Sequence, residues 1–413
     1  MKNRIFLVLL ALTLTLTACM SASASELLKP AERLPEPQTR TITDDDILAA
    51  LGFSVELFKG SYAETGGTNT LISPLSVLLA LAMTTNGADT DTLAEMEAVL
   101  GADVDTLNAF LYSYVKNLYS GANSKLDITN SIWFKDSADF NVVEEFLQIN
   151  EAFYNSEIYK SPFNQSTLND INKWVDKNTD GLIKKIIDEI PQEAVMYLIN
   201  AIIFDAEWQN EYKLESVRNR DFTNHKGNKQ TAKMMYSAEW TYLEDEGAIG
   251  FIKPYKNGKY SFAALLPDKD LGIDEYVKSL TGEGLHSVIA GAQSHEVSAG
   301  LPKFKFDYDL TINDVLKNMG MGTAFDEVDA DFSKLGSMAN PEWNIYISRV
   351  IHKTYIQVDE LGTKAGAVTA VEMPGNAAAP GEPKRVILDR PFVFMIIDNS
   401  QNLPVFMGVV NEV

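Results

Sequence analysis

Few residues of this chain have the chemistry and the spacing that catalysis or metal binding requires. The sequence contains four histidines, His225, His286, His295 and His352. His295-Glu296 begins like the H-E-x-x-H helix of zinc proteases, in which two histidines four residues apart bind the metal ion. Ala299 stands where the second histidine would be needed. Since the chain also has a single cysteine and no Cys/His cluster, we predict no metal site and no cofactor.

Motifs for nucleophilic catalysis and phosphate binding are missing as well. There is no G-x-S-x-G elbow and no phosphate-binding loop, and Gly320-Met321-Gly322 is a lone Gly-x-Gly without a strand before it. A Ser/His/Asp triad is assembled by the fold, so the sequence alone does not exclude one. Because no feature supports such a triad, we predict no catalytic residues and a protein that is not an enzyme.

The composition indicates one large globular domain with an acidic surface. Hydrophobic residues make up 46% of the 413 residues, and no linker rich in Pro, Gly or Ser interrupts the chain after its N-terminal part. The 57 acidic and 35 basic residues give a net charge of −22. Affinity for nucleic acid depends on clustered Lys and Arg. We therefore expect no nucleic-acid partner and, because such a surface repels itself, a monomer.

The first residues have the pattern of an export signal. Two basic residues precede the apolar run IFLVLLALTLTLT, which is too short to remain in a bilayer as a spanning helix. The run leads into Leu16-Thr17-Ala18-Cys19, which resembles the cleavage box of bacterial lipoproteins, whose cysteine becomes the lipid-bearing N-terminus. We predict a signal peptide over residues 1–18 and an exported protein held at the outer face of a membrane through a lipid on Cys19. The alternative is a plain secretory signal with a chance cysteine.

After this signal, hydrophobic periodicity predicts a tether, then mainly helices, then mainly strands. Residues 19–43 are rich in Ser, Ala, Pro and charge, which predicts a flexible tether. A helix is predicted from Thr43 or Asp44, and another at Ser73-Pro74, where the run that follows is apolar nearly all round. Strands are predicted in VMYLINAIIFDAEW, EVSAGLPKFKFDYD, FVFMIID and LPVFMGVV. Because helices and strands do not alternate, the sequence predicts an α+β fold.

The segment GTKAGAVTAVEMPGNAAAPGEP, from Gly362 to Pro383, is too long and too apolar for an ordinary connection. It lies between two segments that are predicted as strands, IYISRVIHKTYIQVDE and VILDRPFVFMIID. Connections of this kind are usually short and polar. The first half of this one is small, β-branched and nearly uncharged. It therefore has the composition of a strand at a place where the pattern predicts a loop.

Five stretches resemble the serpin family and follow one another in the serpin order. They are NTLISPLSVLLALAM, LINAIIFDAEW, LPKFKFDYDLTINDVLKNMG, ISRVIHKTYIQVDELGTKAGA and RPFVFMIIDNSQNLPVFMGVV. The resemblance implies a single serpin domain over residues 44–413, with three β-sheets, eight or nine helices and an exposed reactive-centre loop at about residues 362–388. It also implies the serpin mechanism. A target protease cuts the loop and forms an acyl-enzyme, and the cut loop then inserts as a strand into the central sheet.

The residue alternation of the loop predicts that it can become such a strand. Side chains along a strand point alternately to its two faces. One set of positions is small or apolar throughout: Thr363, Ala365, Ala367, Thr369, Val371 and Met373. The other set contains both charges: Lys364, Gly366, Val368, Ala370, Glu372 and Pro374. One register therefore buries no charge, and proline, which cannot donate to a ladder, is absent before Pro374.

The resemblance also assigns residues to three functional regions. The hinge, from which the loop enters the sheet, maps onto Glu360, Gly362, Thr363, Lys364, Ala365, Gly366 and Ala367. The shutter, a buried polar cluster that lets the central strands separate, maps onto Ser73, Ser76, Asn200 and His352, and the alternation of its strand points His352 inward. The breach, where insertion starts, maps onto Trp208. Serpins usually have glutamate where Lys364 stands, but the alternation points Lys364 to solvent, so insertion should change little.

The position and composition of the reactive bond indicate the target. Counting from Glu360 as in the family places the bond at Asn376-Ala377, with Ala378 and Ala379 as alternatives because this loop is a few residues longer. Elastase-type pockets accept such small side chains, whereas trypsin-type pockets require Arg or Lys. We predict a suicide-substrate inhibitor of extracellular serine proteases, elastase-like in specificity, that forms a covalent acyl-enzyme complex. The open alternatives are subtilisin-like targets, papain-like cysteine proteases, and a non-inhibitory serpin acting as a surface binding protein.

Overall fold

A computed structural model of the chain describes residues 25–118, 120–121, 123–136, 140–192, 194, 196–340, 344–363 and 382–413. The description is limited to the backbone at Leu198, Asn200, Ala201 and Asn257. The predicted signal peptide and residues 364–381 of the predicted reactive-centre loop lie outside the described residues.

Nine α-helices form in the described part of the chain. They are α1 (Asp44–Glu64), α2 (Pro74–Thr85), α3 (Thr90–Leu100), α4 (Val104–Asn117), α5 (Glu144–Tyr154), α6 (Gln165–Asn178), α7 (Gly272–Ser279), α8 (Gly282–Ala290) and α9 (Asn313–Met319). The helix α1 begins after Thr43, whose hydroxyl accepts from the Asp46 N–H at 3.3 Å while the Asp46 carboxylate accepts from the Thr43 N–H at 2.8 Å. This reciprocal capping explains why the first helix starts here. None of these described helices is both long and apolar enough to cross a membrane.

Eighteen strands form three sheets in the described part of the chain. The first nine are β1 (Glu26–Leu28), β2 (Thr70–Ile72), β3 (Ser124–Lys135), β4 (Phe140–Val142), β5 (Glu157–Ser161), β6 (Met196–Glu207), β7 (Val217–Thr223), β8 (Lys229–Glu244) and β9 (Ala248–Pro254). The others are β10 (Tyr260–Pro267), β11 (Gln293–Pro302), β12 (Phe304–Thr311), β13 (Gly336–Met338), β14 (Ile351–Val358), β15 (Gly362–Thr363), β16 (Lys384–Ile387), β17 (Phe392–Asp398) and β18 (Leu403–Val410).

The sheet that contains the predicted hinge residues is a seven-stranded sheet, which we call the central sheet. Its strand order is β1-β5-β3-β6-β15-β14-β12. A second sheet has nine strands, in the order β16-β11-β8-β9-β10-β17-β18-β2 with β7 on β8, and a third pairs β13 with β4. The helix α2 packs between β6 of the central sheet and β18 of the second sheet. This position explains why nearly every residue of α2 is buried, as its all-round apolar sequence predicts.

Two segments that were predicted as single strands are each divided between two strands. EVSAGLPKFKFDYD forms β11 and β12, which belong to different sheets. The division follows Pro302, which has no N–H to continue a ladder. VILDRPFVFMIID is likewise divided into β16 and β17 on either side of Arg390-Pro391. The strand predicted in IYISRVIHKTYIQVDE is also shorter than expected, since β14 begins only at Ile351.

Part of the segment predicted as a flexible tether is instead paired with the domain. Glu26–Leu28 forms β1, which runs antiparallel to β5 at the edge of the central sheet. Just before it, the Ser25 hydroxyl donates to the Asp170 carboxylate at 2.8 Å. An edge strand offers free backbone N–H and C=O groups to any neighbouring segment, so this pairing needs no apolar side chains. Composition alone therefore does not reveal it, and the tether prediction over residues 19–43 is corrected at these residues.

Candidate functional site

The strand β15 consists of two residues that lie between β6 and β14. Thr363 is opposite Ala206 of β6 on one side and Val358 of β14 on the other, and Gly362 is opposite Glu207. Within the described residues, β6 and β14 have no ladder with each other, so β15 alone connects them. A longer β15 would therefore find a hydrogen-bonding partner strand on both of its edges.

The side chains at β15 define which face of a longer strand would point inward. Thr363 is 2% exposed, and its hydroxyl forms a hydrogen bond of 2.5 Å with the Tyr255 hydroxyl. A Cβ atom on Gly362 would lie 2.1 Å from the Ala206 carbonyl oxygen, so only glycine fits at this position. Since the strand period is two, the odd-numbered positions after Thr363 share its inward face.

The turn that precedes β15 is held by the backbone and side chain of Trp208. The Trp208 backbone N–H donates to the Leu361 carbonyl oxygen, and its indole Nε1 donates to that of Asp359, both at 2.8 Å. The Tyr212 N–H donates to the Glu360 carbonyl oxygen at 3.0 Å. Residues 359–361, which we call the hinge turn, are thus attached at all three carbonyl groups. The resemblance assigns Trp208 to the breach, and the structure places this residue against the hinge turn.

The side chain of Glu360 adds an ion pair to the hinge turn. Its carboxylate is 2.5 Å from the Lys303 ammonium, and the two side chains are 17% and 34% exposed. Lys303 connects β11 to β12, so the pair joins the hinge turn to the outer edge of the central sheet. Partly exposed pairs of this kind contribute about 1 kcal/mol or less. We therefore expect this pair to orient the turn more than to stabilise the fold.

The structure brings two predicted shutter residues, Ser73 and His352, into direct contact. The Ser73 N–H donates to His352 Nε2 at 3.0 Å, and the Ser73 hydroxyl donates to the Val405 carbonyl oxygen at 2.8 Å. The Ser76 N–H donates to the Ser73 hydroxyl at 3.3 Å, as a helix cap. Ser73, Ser76 and His352 are all buried. This cluster joins β14 of the central sheet to α2 and to β18 beneath it.

The fourth predicted shutter residue, Asn200, is described only by its backbone. It lies opposite Asn130 in the ladder between β6 and β3. Asn130 is buried, and its Nδ2 donates to the Tyr154 carbonyl oxygen at 3.0 Å. Sequence reasoning did not find Asn130, because the register of β3 against β6 is set by the fold and not by local pattern.

Burial lowers the pKa of His352 to about 4, because the interior does not solvate the imidazolium. The neutral ring is also the form that can accept the Ser73 N–H at Nε2. An unfolded histidine has an ordinary pKa of about 6.5. It therefore binds a proton at a higher pH than the folded one, and acid favours unfolding.

We expect the free energy of unfolding to fall by about 3 kcal/mol through His352 as the pH decreases from 6.5 towards 4, at 1.36 kcal/mol per pKa unit. The contribution is complete above pH 6.5, where both folded and unfolded rings are neutral. Urea unfolding at pH 7.5 and pH 4.5 measures the loss for the protein and for H352Q. The loss should be smaller by about this amount in the variant. An equal loss in both proteins would contradict the assignment.

The remaining predicted site residues lie outside the described residues. They are Lys364, Ala365, Gly366 and Ala367 of the hinge, Asn376, Ala377, Ala378 and Ala379 at the reactive bond, and Cys19. Their assignments stay predictions. As for metal binding, the described residues contain no group of three or more His, Cys, Asp or Glu side chains that could hold an ion.

Sequence reasoning missed three residues that hold the hinge, Lys303, Tyr212 and Tyr255. Each lies far from the hinge in the chain, in a connection between two elements. Tyr212 follows the end of β6, and Tyr255 follows the end of β9, where an aromatic residue has no distinctive pattern. The opposite charges of Lys303 and Glu360 are compatible with pairing, but only the fold selects this pair among the many possible ones.

The fold agrees with that of a known family. The family described as Serpin (serine protease inhibitor) matches residues 49–413. An uncharacterised serpin-like protein of Thermococcus kodakarensis is 31% identical over 358 residues, which cover 84% of this chain and 82% of that protein. The chain therefore belongs to the serpin family, whose members are typically protease inhibitors. The predicted serpin fold is confirmed.

The chain is also similar to a protein named as an elastase inhibitor and to a serpin whose structure is known in two conformational states. Human leukocyte elastase inhibitor is 27% identical over 372 residues, which cover 86% of this chain and 96% of the inhibitor. The crystal structure of the thermophilic serpin tengpin in the native state is 48% identical, with a TM-score of 0.88 over 94% of this chain and all of tengpin. Its latent state gives a TM-score of 0.81 over 91% of this chain. The described structure is thus more similar to the native than to the latent conformation.

Proposed function

We propose that this protein is a suicide-substrate inhibitor of extracellular serine proteases. The observation that carries the proposal is β15, whose residues pair with both β6 and β14 directly before the predicted reactive-centre loop. The protease serine attacks the carbonyl carbon of the reactive bond, and its hydroxyl proton passes to the nitrogen as the peptide C–N bond breaks. The new amine leaves, and an ester links the loop to the protease. Insertion of the cut loop after Thr363 then moves the attached protease along the sheet.

The face defined by Thr363 supports insertion in the predicted register. Thr363 points into the protein, so a strand continued from it directs Ala365, Ala367, Thr369, Val371 and Met373 inward. All of these are small or apolar, while Lys364 and Glu372 fall on the other face. Because no charge is transferred into the interior, ladder formation is not opposed by the penalty for desolvating a charge.

We further propose an elastase-like target. The predicted reactive bond, Asn376-Ala377, and its neighbours offer small side chains, and a relative is named as an inhibitor of leukocyte elastase. Beyond the hinge, the basic residues that a trypsin-like protease would need near the reactive bond are Lys384 and Arg385. Both residues lie in β16, which pairs with β11 in the second sheet. They are therefore placed in a paired strand, where a protease has poor access to the backbone.

A panel of proteases tests the proposed function and the reactive bond together. We expect an elastase to form an SDS-stable complex and to release a C-terminal peptide that begins at Ala377, Ala378 or Ala379. Electrophoresis detects the complex, and mass spectrometry of the peptide identifies the bond. Complexes with only subtilisin-like or papain-like enzymes would change the target class. Cleavage of the loop without any complex would contradict inhibition and favour a non-inhibitory surface binding protein.

We also propose that the protein acts as an exported monomer anchored to a membrane by lipid on Cys19. The Leu16–Cys19 sequence and the apolar run before it support this location. A lipid supplies membrane affinity without a spanning helix. Wild-type protein should sediment with membranes, whereas C19S should remain in the soluble fraction. Equal distribution of the two proteins would show that the cysteine does not anchor the chain.

A further inference from the structure

A buried ion pair lies directly behind the residues that hold the hinge turn. Lys253 on β9 and Glu239 on β8 are 1% and 4% exposed, and the distance between Nζ and Oε1 is 2.8 Å. Lys253 is two residues after Phe251 and shares its buried face. An apolar residue is the usual choice for such a position, since lysine is almost never fully buried unless it is paired. The insertion steps described above give this pair no function.

The Lys253 ammonium contacts the segment between Trp208 and Tyr212 in several ways. It donates to Glu239 Oε1 at 2.8 Å and to the Asn210 carbonyl oxygen at 3.0 Å. The centroid of the Tyr212 ring lies 4.3 Å from Nζ, and that of Trp208 lies 5.5 Å away. Both distances are within the range of cation–π attraction. Lys253 therefore restrains the backbone at Asn210 and the two aromatic rings at the same time.

The acidic partner is itself held in place. The Ser237 hydroxyl donates to Glu239 Oε1 at 2.6 Å, so the carboxylate has a second partner besides Lys253. Away from solvent, the attraction between two charges is weakly screened, and removal of one leaves the other uncompensated. The pair can therefore fix a position firmly, which an exposed ion pair does poorly.

The segment over residues 208–212 transmits this restraint to the hinge turn. It follows the end of β6 at Glu207, so the ladder of the central sheet does not fix it. The bonds from Trp208 and Tyr212 to the hinge turn all originate in this segment. The position of the hinge turn relative to β6 and β14 thus depends on a segment that Lys253 holds from behind.

We propose that Lys253, paired with Glu239, is a positioning residue for loop insertion. It keeps residues 208–212 in place, so that the hinge turn is a fixed pivot from which β15 lengthens. The inference rests on the proposed function, because insertion competes with attack of water on the acyl-enzyme ester. That hydrolysis releases active protease and a cut, spent inhibitor. If the hinge turn is displaced, the first backbone hydrogen bonds of the strand after Thr363 form later. Water then has more time to hydrolyse the acyl-enzyme ester.

The double variant K253M/E239Q tests this assignment. It removes both buried charges together and nearly preserves side-chain volume, so that no unpaired charge remains in the interior. Lys229 provides the matched lysine-to-methionine control. Its side chain and that of its partner Asp221 are 73% and 63% exposed, and neither contacts Lys253 or Glu239 in the way described above. We expect the stoichiometry of inhibition against elastase to rise at least about threefold in K253M/E239Q, and to stay unchanged in K229M.

Hydrogen exchange separates positioning from a general loss of stability. The Trp208 and Tyr212 amides should exchange about tenfold faster in the double variant, while amides of α2 keep their rates. Unchanged stoichiometry, or equal acceleration throughout the protein, would overturn the inference. If the wild-type protein forms no complex, the proposed function fails. The positioning role then stands if these two amides alone exchange faster, and falls if they do not.

Discussion

Replacing Thr363 by arginine is expected to convert the protein from an inhibitor into a substrate, with the stoichiometry of inhibition rising at least about tenfold. Thr363 is buried, and its hydroxyl lies 2.5 Å from that of Tyr255. T363R places a guanidinium group at this already buried position, and burial of an unpaired charge costs several kcal/mol. The first pairings of an inserting strand must then form either with this charge buried or with residue 363 displaced from β15, and both raise the barrier to insertion. A barrier higher by about 1.4 kcal/mol already slows a step tenfold. Hydrolysis of the acyl-enzyme then occurs before insertion.

Titration of a fixed amount of elastase with T363R measures this stoichiometry, and electrophoresis shows whether complex or cut inhibitor forms. The matched control is K364R, which places arginine one position later, on the face that the alternation directs to solvent. K364R should inhibit as the wild type does. The small variant T363A shows whether the loss of the Thr363 hydroxyl alone matters. A T363R protein that still forms complex at the wild-type ratio would show that this face is not buried on insertion.

Cutting the loop near Ala377 without forming a complex is expected to raise the melting temperature by roughly 10 °C or more. The inserted segment would form about ten ladder hydrogen bonds at ~1 kcal/mol each, in addition to side-chain burial. The unfolding entropy is about 2.1 cal/mol/K per residue. A gain on the order of 10 kcal/mol therefore shifts the midpoint of this 413-residue chain by about 12 °C. Such a gain can drive the rearrangement to completion.

Scanning calorimetry of the intact and the cut protein tests this expectation. A non-target protease that cuts near Ala377 without being trapped prepares the sample, and mass spectrometry confirms a single cut. Cut T363R is the control, because its loop is equally free but its insertion is opposed by the buried charge. Its midpoint should rise much less. If the cut wild-type protein melted no higher than the intact one, insertion and the proposed inhibition would both be wrong.

Local signals in the sequence predicted several elements that position the site. Ser73-Pro74 marks the start of α2, and the all-round apolar run after it predicts the buried location that α2 has. The inward direction of His352 follows from the alternation along its strand, and the residue is buried. These predictions succeed because capping and period-two alternation depend on residues adjacent in the chain.

The predictions that failed depend on contacts between distant segments. The composition of residues 19–43 predicts no structure, yet β1 pairs with the free edge of β5. The single strand predicted in EVSAGLPKFKFDYD crosses from one sheet to the other after Pro302. Hydrophobic pattern shows that a segment is buried, but it does not show which neighbour buries it.

The order of residues after Thr363 is enough to show that this segment can alternate as a strand and bury no charge, because alternation is a property of consecutive residues. The resemblance added the family and the order of its elements. Three contacts became visible only in the folded chain: Thr363 lies inward beside Tyr255, Glu360 pairs with Lys303, and a buried Lys253 lies behind the hinge turn. These contacts join segments that are far apart in the chain. Their partners are selected by how the central sheet and the second sheet pack where β6 ends, at Glu207.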